Sequence, residues 1–192
     1  VHGARRMGRR KEAALEEGGF VAGIEKLIAT KDVGERTLYC FLAGTLRRRP
    51  EYAPLGYDRA QLYLSIRTKD DSSADAVATV VADVTLNEDD HDDDHLRIIE
   101  LSVVAEGIGC GTFAIEVLYL IADWYGCRGI MGELFGNDLV RESDRTLSFF
   151  QRRGFDVIRQ KDNRVHPWRI QTVSYRDRLP ECVEFSLDGV LV

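Results

Sequence analysis

Leu96-Arg97-Ile98-Ile99-Glu100-Leu101-Ser102-Val103-Val104, followed by Glu106-Gly107-Ile108-Gly109-Cys110-Gly111-Thr112, is the stretch that decides the fold. The first run is short, apolar and β-branched, as a buried strand is. The second is a glycine turn. Beyond it Phe113, Val117, Leu120, Ile121 and Trp124 recur at helical spacing up to a stop at Gly126. A further strand lies between Arg128 and Phe135, so residues 96–134 read strand, glycine loop, helix, strand. A glycine turn that opens a helix bares unpaired backbone N–H groups at the positive end of the helix dipole, which makes an anion site, most often for phosphate. The plain alternative is a tight turn whose glycines only permit positive φ. Three alternating glycines followed by Thr at a helix start favour the phosphate site.

A chain of 192 residues, 44% hydrophobic and 30% charged, has the length and composition of one globular domain with a sizeable core. Its net charge of −6 argues against general nucleic-acid affinity, which needs a basic face. The acidic balance suits a cationic small molecule or a basic peptide. Cys40, Cys110, Cys127 and Cys182 form no CxxC pair and sit in apolar or glycine contexts. They read as reduced thiols of a cytoplasmic protein, not as zinc ligands or a disulfide frame. No apolar run approaches the roughly 18 residues of a membrane span, so no membrane partner is expected. Residues 1–11 are basic and begin without Met. They read as a remnant ahead of Met7 or as the end of an Arg-rich targeting segment.

From Glu12 to about Lys31, Leu15, Phe20, Ile24, Leu27 and Ile28 predict an amphipathic helix interrupted at Gly18-Gly19. Thr37 to Arg49 fits helix or strand; Leu38, Phe41, Leu42 and Leu46 with a Thr37 cap favour helix, ended before Pro50. Leu62, Leu64 and Ile66 alternate with polar residues as a half-buried strand, and Ala78, Val80, Ala82, Val84 and Leu86 form a second. The loop from Glu88 to His95 holds six acids and two histidines. It reads first as a solvated charge run, then as a negative rim that attracts an ammonium-bearing substrate; its spacing matches no calcium loop. Ser143 or Asp144 starts another helix, which Gly154 ends with Phe155 folding back. Strands at Phe155–Arg159 and Trp168–Tyr175 follow, and Val183–Leu187 is placed as an edge strand.

A meander of strands, a glycine loop opening a helix, a strand, a helix ending in Arg152-Arg153-Gly154-Phe155 and two strands resembles the GNAT N-acetyltransferases over residues 61 to 176. Glu106 to Thr112, similar to that family's acyl-CoA pyrophosphate loop, and Thr146 to Phe155, similar to its last helix, carry the resemblance. It implies an α/β fold with a mixed, mostly antiparallel central sheet and helices on both faces, one domain over residues 12–192. It also implies an N-acyltransferase that moves an acyl group, acetyl by default, from acyl-CoA to an amine of a small molecule or peptide. No metal is expected.

The resemblance assigns the pyrophosphate to the amides of Gly107, Ile108, Gly109, Cys110, Gly111 and Thr112. Main chain near Leu101 and Val103 would hydrogen-bond the pantetheine as a pseudo-strand, and Ser143 and Phe150 align with the last helix's cofactor residues. His95 or Glu100 is the implied base, and Glu133 the residue that places the amine, for direct attack in a ternary complex. Three positions depart from the family pattern. Glu106 stands where Arg or Gln is usual, Ser143 where Asn is usual, and Phe150 where a Tyr commonly gives the departing thiolate its proton. Protonation by water suffices at neutral pH.

Two other readings share these residues. A weakly catalytic acyl-CoA-binding sensor or interaction module would tolerate Glu106 and Phe150. Gly109-Cys110-Gly111-Thr112 with Glu133 roughly 20 residues on also fits a nucleotide or S-adenosylmethionine fingerprint. Alternating strands ahead of the loop, and too little chain after it for a doubly wound sheet, oppose that one. Oligomeric state and the acceptor's identity are not legible.

Overall fold

The structure, a computed structural model, describes residues 25–43, 57–70, 74–87, 94–134, 145–163 and 165–187, with the backbone alone at 57–60. Among the described residues nine strands form one sheet. They are β1 (Lys26–Val33), β2 (Arg36–Ala43), β3 (Tyr57–Arg67), β4 (Ala78–Asn87), β5 (His95–Val103), β6 (Gly129–Leu134), β7 (Asp156–Arg159), β8 (Trp168–Thr172) and β9 (Glu184–Phe185). Helix α1 (Cys110–Trp124) joins β5 to β6, and helical turns at 145–152, here α2, precede β7. The order across the sheet is β7-β8-β6-β5-β4-β3-β2-β1-β9. Every pairing is antiparallel except β5 with β6. The α/β class with a mixed, mostly antiparallel sheet is therefore the one the sequence implied.

Alternation makes the core. Leu62, Leu64 and Ile66 of β3, Ala78, Val80, Ala82 and Val84 of β4, and Leu96 and Ile98 of β5 are buried on the face that α1 covers. Phe113, Ala114, Val117, Leu118 and Ile121 meet them from α1. Ile115 and Tyr119 are buried as well, because α1 is covered on further sides. The Tyr119 ring packs on Phe155 beyond α2 and on Tyr175 of a 3₁₀ turn (Tyr175–Arg178). A helix apolar on most sides is what this enclosure demands. Gly126, at φ 71°, closes α1, with Cys127 N–H donating to the Ala122 carbonyl at 2.8 Å. Gly154, at φ 87°, closes α2, and Phe155 folds back onto Phe150 at 5.5 Å, as anticipated.

Two helix expectations are corrected. Residues 26–31 are strand β1 and residues 37–43 are strand β2. A bulge between Leu27 and Ala29 brings Ile28 and Ala29 both inside, which breaks period-two alternation and imitates helical spacing. On β2, Phe41 is buried along with Leu38, Cys40 and Leu42, so the run is apolar on both faces and periodicity cannot type it. The turn between them rests on Gly34 at φ 62°, the first residue of a two-residue loop. The remaining parts of those expectations, residues 12–24 and 44–49, lie outside the described residues, as do 88–93 of the acidic loop.

The edge strand near the end is present. From β8 the chain crosses over α1 to the opposite end of the sheet, where β9 pairs with β1. Ser186 N–H donates to the Ile28 carbonyl at 2.9 Å and Leu187 is 5% exposed in the core. Leu187→Ala is expected to lower unfolding stability by about 2–4 kcal/mol through the cavity it leaves, read as a lower urea midpoint at unchanged slope.

Candidate active site

The pairing of β5 with β6 stops early. Its register runs His95↔Gly129, Leu96↔Ile130, Arg97↔Met131 and Ile98↔Gly132, and no further. Both strands continue, β5 to Val103 beside β4 and β6 to Leu134 beside β8. The cause is local: β5 carries one extra residue at Ile99, opposite the step from Val81 to Ala82 of β4. A bulge bends and twists its strand, here where contact with β6 is lost. Ile99 and Val103 are 40% and 37% exposed along that edge. The vertex is tight, since a Cβ on Gly132 would come within 3.1 Å of the Ile98 carbonyl oxygen. A wedge-shaped opening in the sheet is the result.

The glycine loop sits at the wide end of this wedge. Gly107 and Gly109 take φ of 79° and 81°, and Gly109 is the N-cap of α1 with no side-chain cap hydrogen bond. Among the described residues the amides of Gly107 to Thr112 donate to no backbone carbonyl outside the helix, and the first turn holds no acid. Arg153 Nη2 donates to Thr112 Oγ1, and its guanidinium stacks over Phe149 at 5.5 Å. A cation is thus held at the positive end of α1, where the dipole disfavours it unless an anion joins it. Glu106 is turned to Arg145 of α2, 2.9 Å away, so its charge is balanced locally. Both partners are well exposed, and the pair contributes little to stability.

Leu101 and Val103 lie on the α1 face of the open β5 segment, opposite Val80 and Ala78. Gly111 has ordinary φ and allows close packing: a Cβ there would meet Val103 Cγ2 at 3.4 Å and Phe149 Cζ at 3.5 Å. Ile108 is half-buried against the core. Phe150 is 4% exposed in the core, so Phe149 is the aromatic that faces the loop. Ser143 lies outside the described residues. Cys110 is buried, its thiol donating to the Ala105 carbonyl at 3.0 Å, and burial pushes its pKa up. It is therefore a neutral packing group and no nucleophile. Burial likewise pushes the Cys127 thiol up to about 12. A native chain is expected to show fast reaction with a disulfide reagent at Cys182 only, the exposed cysteine, with Cys40, Cys110 and Cys127 reacting on unfolding.

On the opposite face, Glu100 and Glu133 flank the opening. Glu100 is the first β5 residue past the bulge and is exposed. It has no ion-pair partner among the described residues. Arg97, which could have paired with it, instead bridges to Glu133 on β6, Nη2 to Oε2 at 3.3 Å. His166 Nδ1 lies 3.9 Å from the same oxygen. His95 stands at the far end of the ladder, three positions or roughly 10 Å from the vertex at strand rise. The structure thus brings Glu100 and Glu133 to one opening and sets His95 apart. Arg97, Arg153, Phe149 and His166 were not assigned to the site from the sequence, although Arg153 lies in the helix end quoted there. Helical spacing from Phe149 to Arg153 was the one available signal.

Among the described residues no helix is long and apolar enough to cross a membrane, and no three His, Cys, Asp or Glu side chains converge as metal ligands.

No family model and no curated protein matches the chain. Solved structures similar to it include an acetyltransferase from Thermus thermophilus, at 17% identity over 59% of this chain and 63% of that one, TM-score 0.42. Another is an acetyltransferase of the GNAT family from Staphylococcus aureus, at 11% identity over 58% and 66%, TM-score 0.44. A third is the NatC complex bound to Gag peptide and CoA, at 14% identity over 58% and 70%, TM-score 0.45. The chain spans under two thirds of the length of the first two. Overlaps of this size leave the chemistry to the site's own groups.

Proposed function

We propose that this chain is an acyl-CoA-dependent N-acyltransferase, with acetyl as the acyl group and an amine of a small molecule or peptide as acceptor. The observation that carries the reading is the juxtaposition of an uncapped glycine-rich helix start with a bulge-opened gap between parallel strands. The first suits a diphosphate. The second leaves the β5 edge without a strand partner, where an extended amide-bearing chain adds hydrogen bonds as a strand would. Arg153 at the positive helix end fits the same anion.

The donor, when bound, supplies an activated thioester carbonyl. The chain's own groups do the rest. The amides of Gly107 to Thr112 and Arg153 hold the diphosphate end, and the β5 edge aligns the reactive end with the gap. Glu100, exposed and without an ion-pair partner among the described residues, takes a proton from the acceptor's ammonium, and the free amine attacks the thioester carbonyl. Glu133, fixed by Arg97, holds a second polar group of the acceptor in place. Water protonates the departing thiolate, since Phe150 is in the core and has no proton to give.

Thermal shift with acetyl-CoA, CoA and S-adenosylmethionine tests the reading. A ligand at 100 times its Kd adds about 2.7 kcal/mol to the folded state, so both CoA ligands are expected to raise the melting temperature. Stabilisation by S-adenosylmethionine alone overturns the proposal. CoA binding without acyl transfer to any amine of a broad panel replaces it with the sensor reading.

A further inference from the structure

Arg169 lies directly across the β6–β8 ladder from Glu133, so the two side chains share the face opposite α1, one strand apart. Glu133 is nevertheless engaged from the other side, by Arg97 at 3.3 Å. The half-buried Arg169 reaches instead over β6, where Nη2 meets Met131 Sδ at 3.9 Å. A thioether is a weak, uncharged acceptor, and among the described residues Arg169 has no carboxylate partner. Asp156, on β7 diagonal to it, forms no ion pair with it either. Asp83, buried on β4, faces Arg97 across its own ladder and is three strands away from Arg169, with β5 and β6 between them. Partial burial of a guanidinium beside sulfur is unfavourable until an anion completes it. Along this face the order of charge is therefore negative at the gap (Glu100), a closed pair (Glu133 with Arg97), then an uncompensated cation.

We propose that the acceptor is an amine that also carries a carboxylate, and that Arg169 binds that carboxylate while the amine sits by Glu100 at the opening. This rests on the acyltransferase reading and narrows its acceptor to amino-acid-like molecules, since an acid and a cation presented on one face of the sheet match a zwitterion and repel a polyamine. Glu100 on β5 and Arg169 on β8 stand two strand spacings apart, roughly 10 Å at about 4.8 Å each; Arg169 covers part of that distance by reaching to Met131 on β6, and the acceptor spans the remainder.

The test uses the full chain with acetyl-CoA and matched acceptors: phenylalanine, γ-aminobutyrate and lysine, each against its own amide, with spermidine as the polycation. For at least one pair kcat/KM is expected to favour the acid by ten-fold or more, about the worth of a charge-assisted hydrogen bond. Arg169→Gln is expected to bring that ratio toward one by raising KM for the acid, Arg169→Lys to restore part of it, and Arg159→Gln, a neighbouring cation stacked on Trp168, to leave it unchanged. Calorimetric binding of the acid in the presence of CoA gives a second readout and is expected to weaken by the same factor in Arg169→Gln. Equal use of acid and amide, preference for spermidine, or a loss in Arg169→Gln that is the same for both overturns the proposal. If turnover fails while acetyl-CoA still stabilises the fold, acid binding unaffected by Arg169→Gln overturns it. Absence of both turnover and acetyl-CoA stabilisation overturns the acyltransferase reading itself.

Discussion

Gly109→Asp is expected to lower affinity for CoA by about two orders of magnitude while the unliganded fold stays within about 1 kcal/mol of wild type. Gly109 holds φ 81° at the mouth of α1, and a Cβ there would meet Val33 Cγ1 at 3.5 Å, an ordinary contact. Space is therefore not the obstacle, and Asp tolerates this backbone region better than most residues, at a cost of about 1 kcal/mol. The charge is what counts. At about 5 Å and an effective dielectric near 20, one like charge opposes the diphosphate by about 3 kcal/mol. Gly109→Asn, of the same shape without the charge, is expected to lose less than about ten-fold, as backbone strain alone would cost. Calorimetric titration of CoA into the three proteins checks this. Equal affinities for the Asp and Asn variants would show that no phosphate is held there, and CoA release persisting in Gly109→Asp would say the same.

The second large effect is on turnover. Glu100→Gln is expected to reduce kcat by about two to three orders of magnitude, the usual contribution of a positioned base, with the donor's KM little changed. Glu133→Gln is expected to act differently, because it releases Arg97. The pair is 43% and 33% exposed at its two side chains, so its loss changes stability little once solvent screening is counted. The acceptor's KM rises, since β5 and β6 are no longer tied at the vertex. Steady-state kinetics with both variants separate the roles. A Glu100→Gln enzyme that keeps most of its kcat would move the base elsewhere.

How much of this was legible depends on whether the signal was local. The alternation at Leu62–Ile66 and Ala78–Leu86 was clean because the buried apolar residues of each strand lie on one face only. β1 and β2 were not, since a bulge and a doubly covered face erased the period of two. Phe149 and Phe150 are adjacent and chemically alike, so the residue that meets the loop could not be separated from the one in the core. Arg97 has Asp94 and Glu100 as its nearest carboxylates in sequence, each three residues away, yet Glu133 on the next strand takes it.

The chain by itself determined the glycine turn, the strand before it and the helix after it, because positive φ and helical spacing are properties of neighbouring residues. Only the tertiary structure decided where β5 parts from β6 and, among the described residues, which acid stays unpaired and which cation waits without a carboxylate. Those depend on strand register, and register is fixed by the packing of distant segments, which no local pattern encodes.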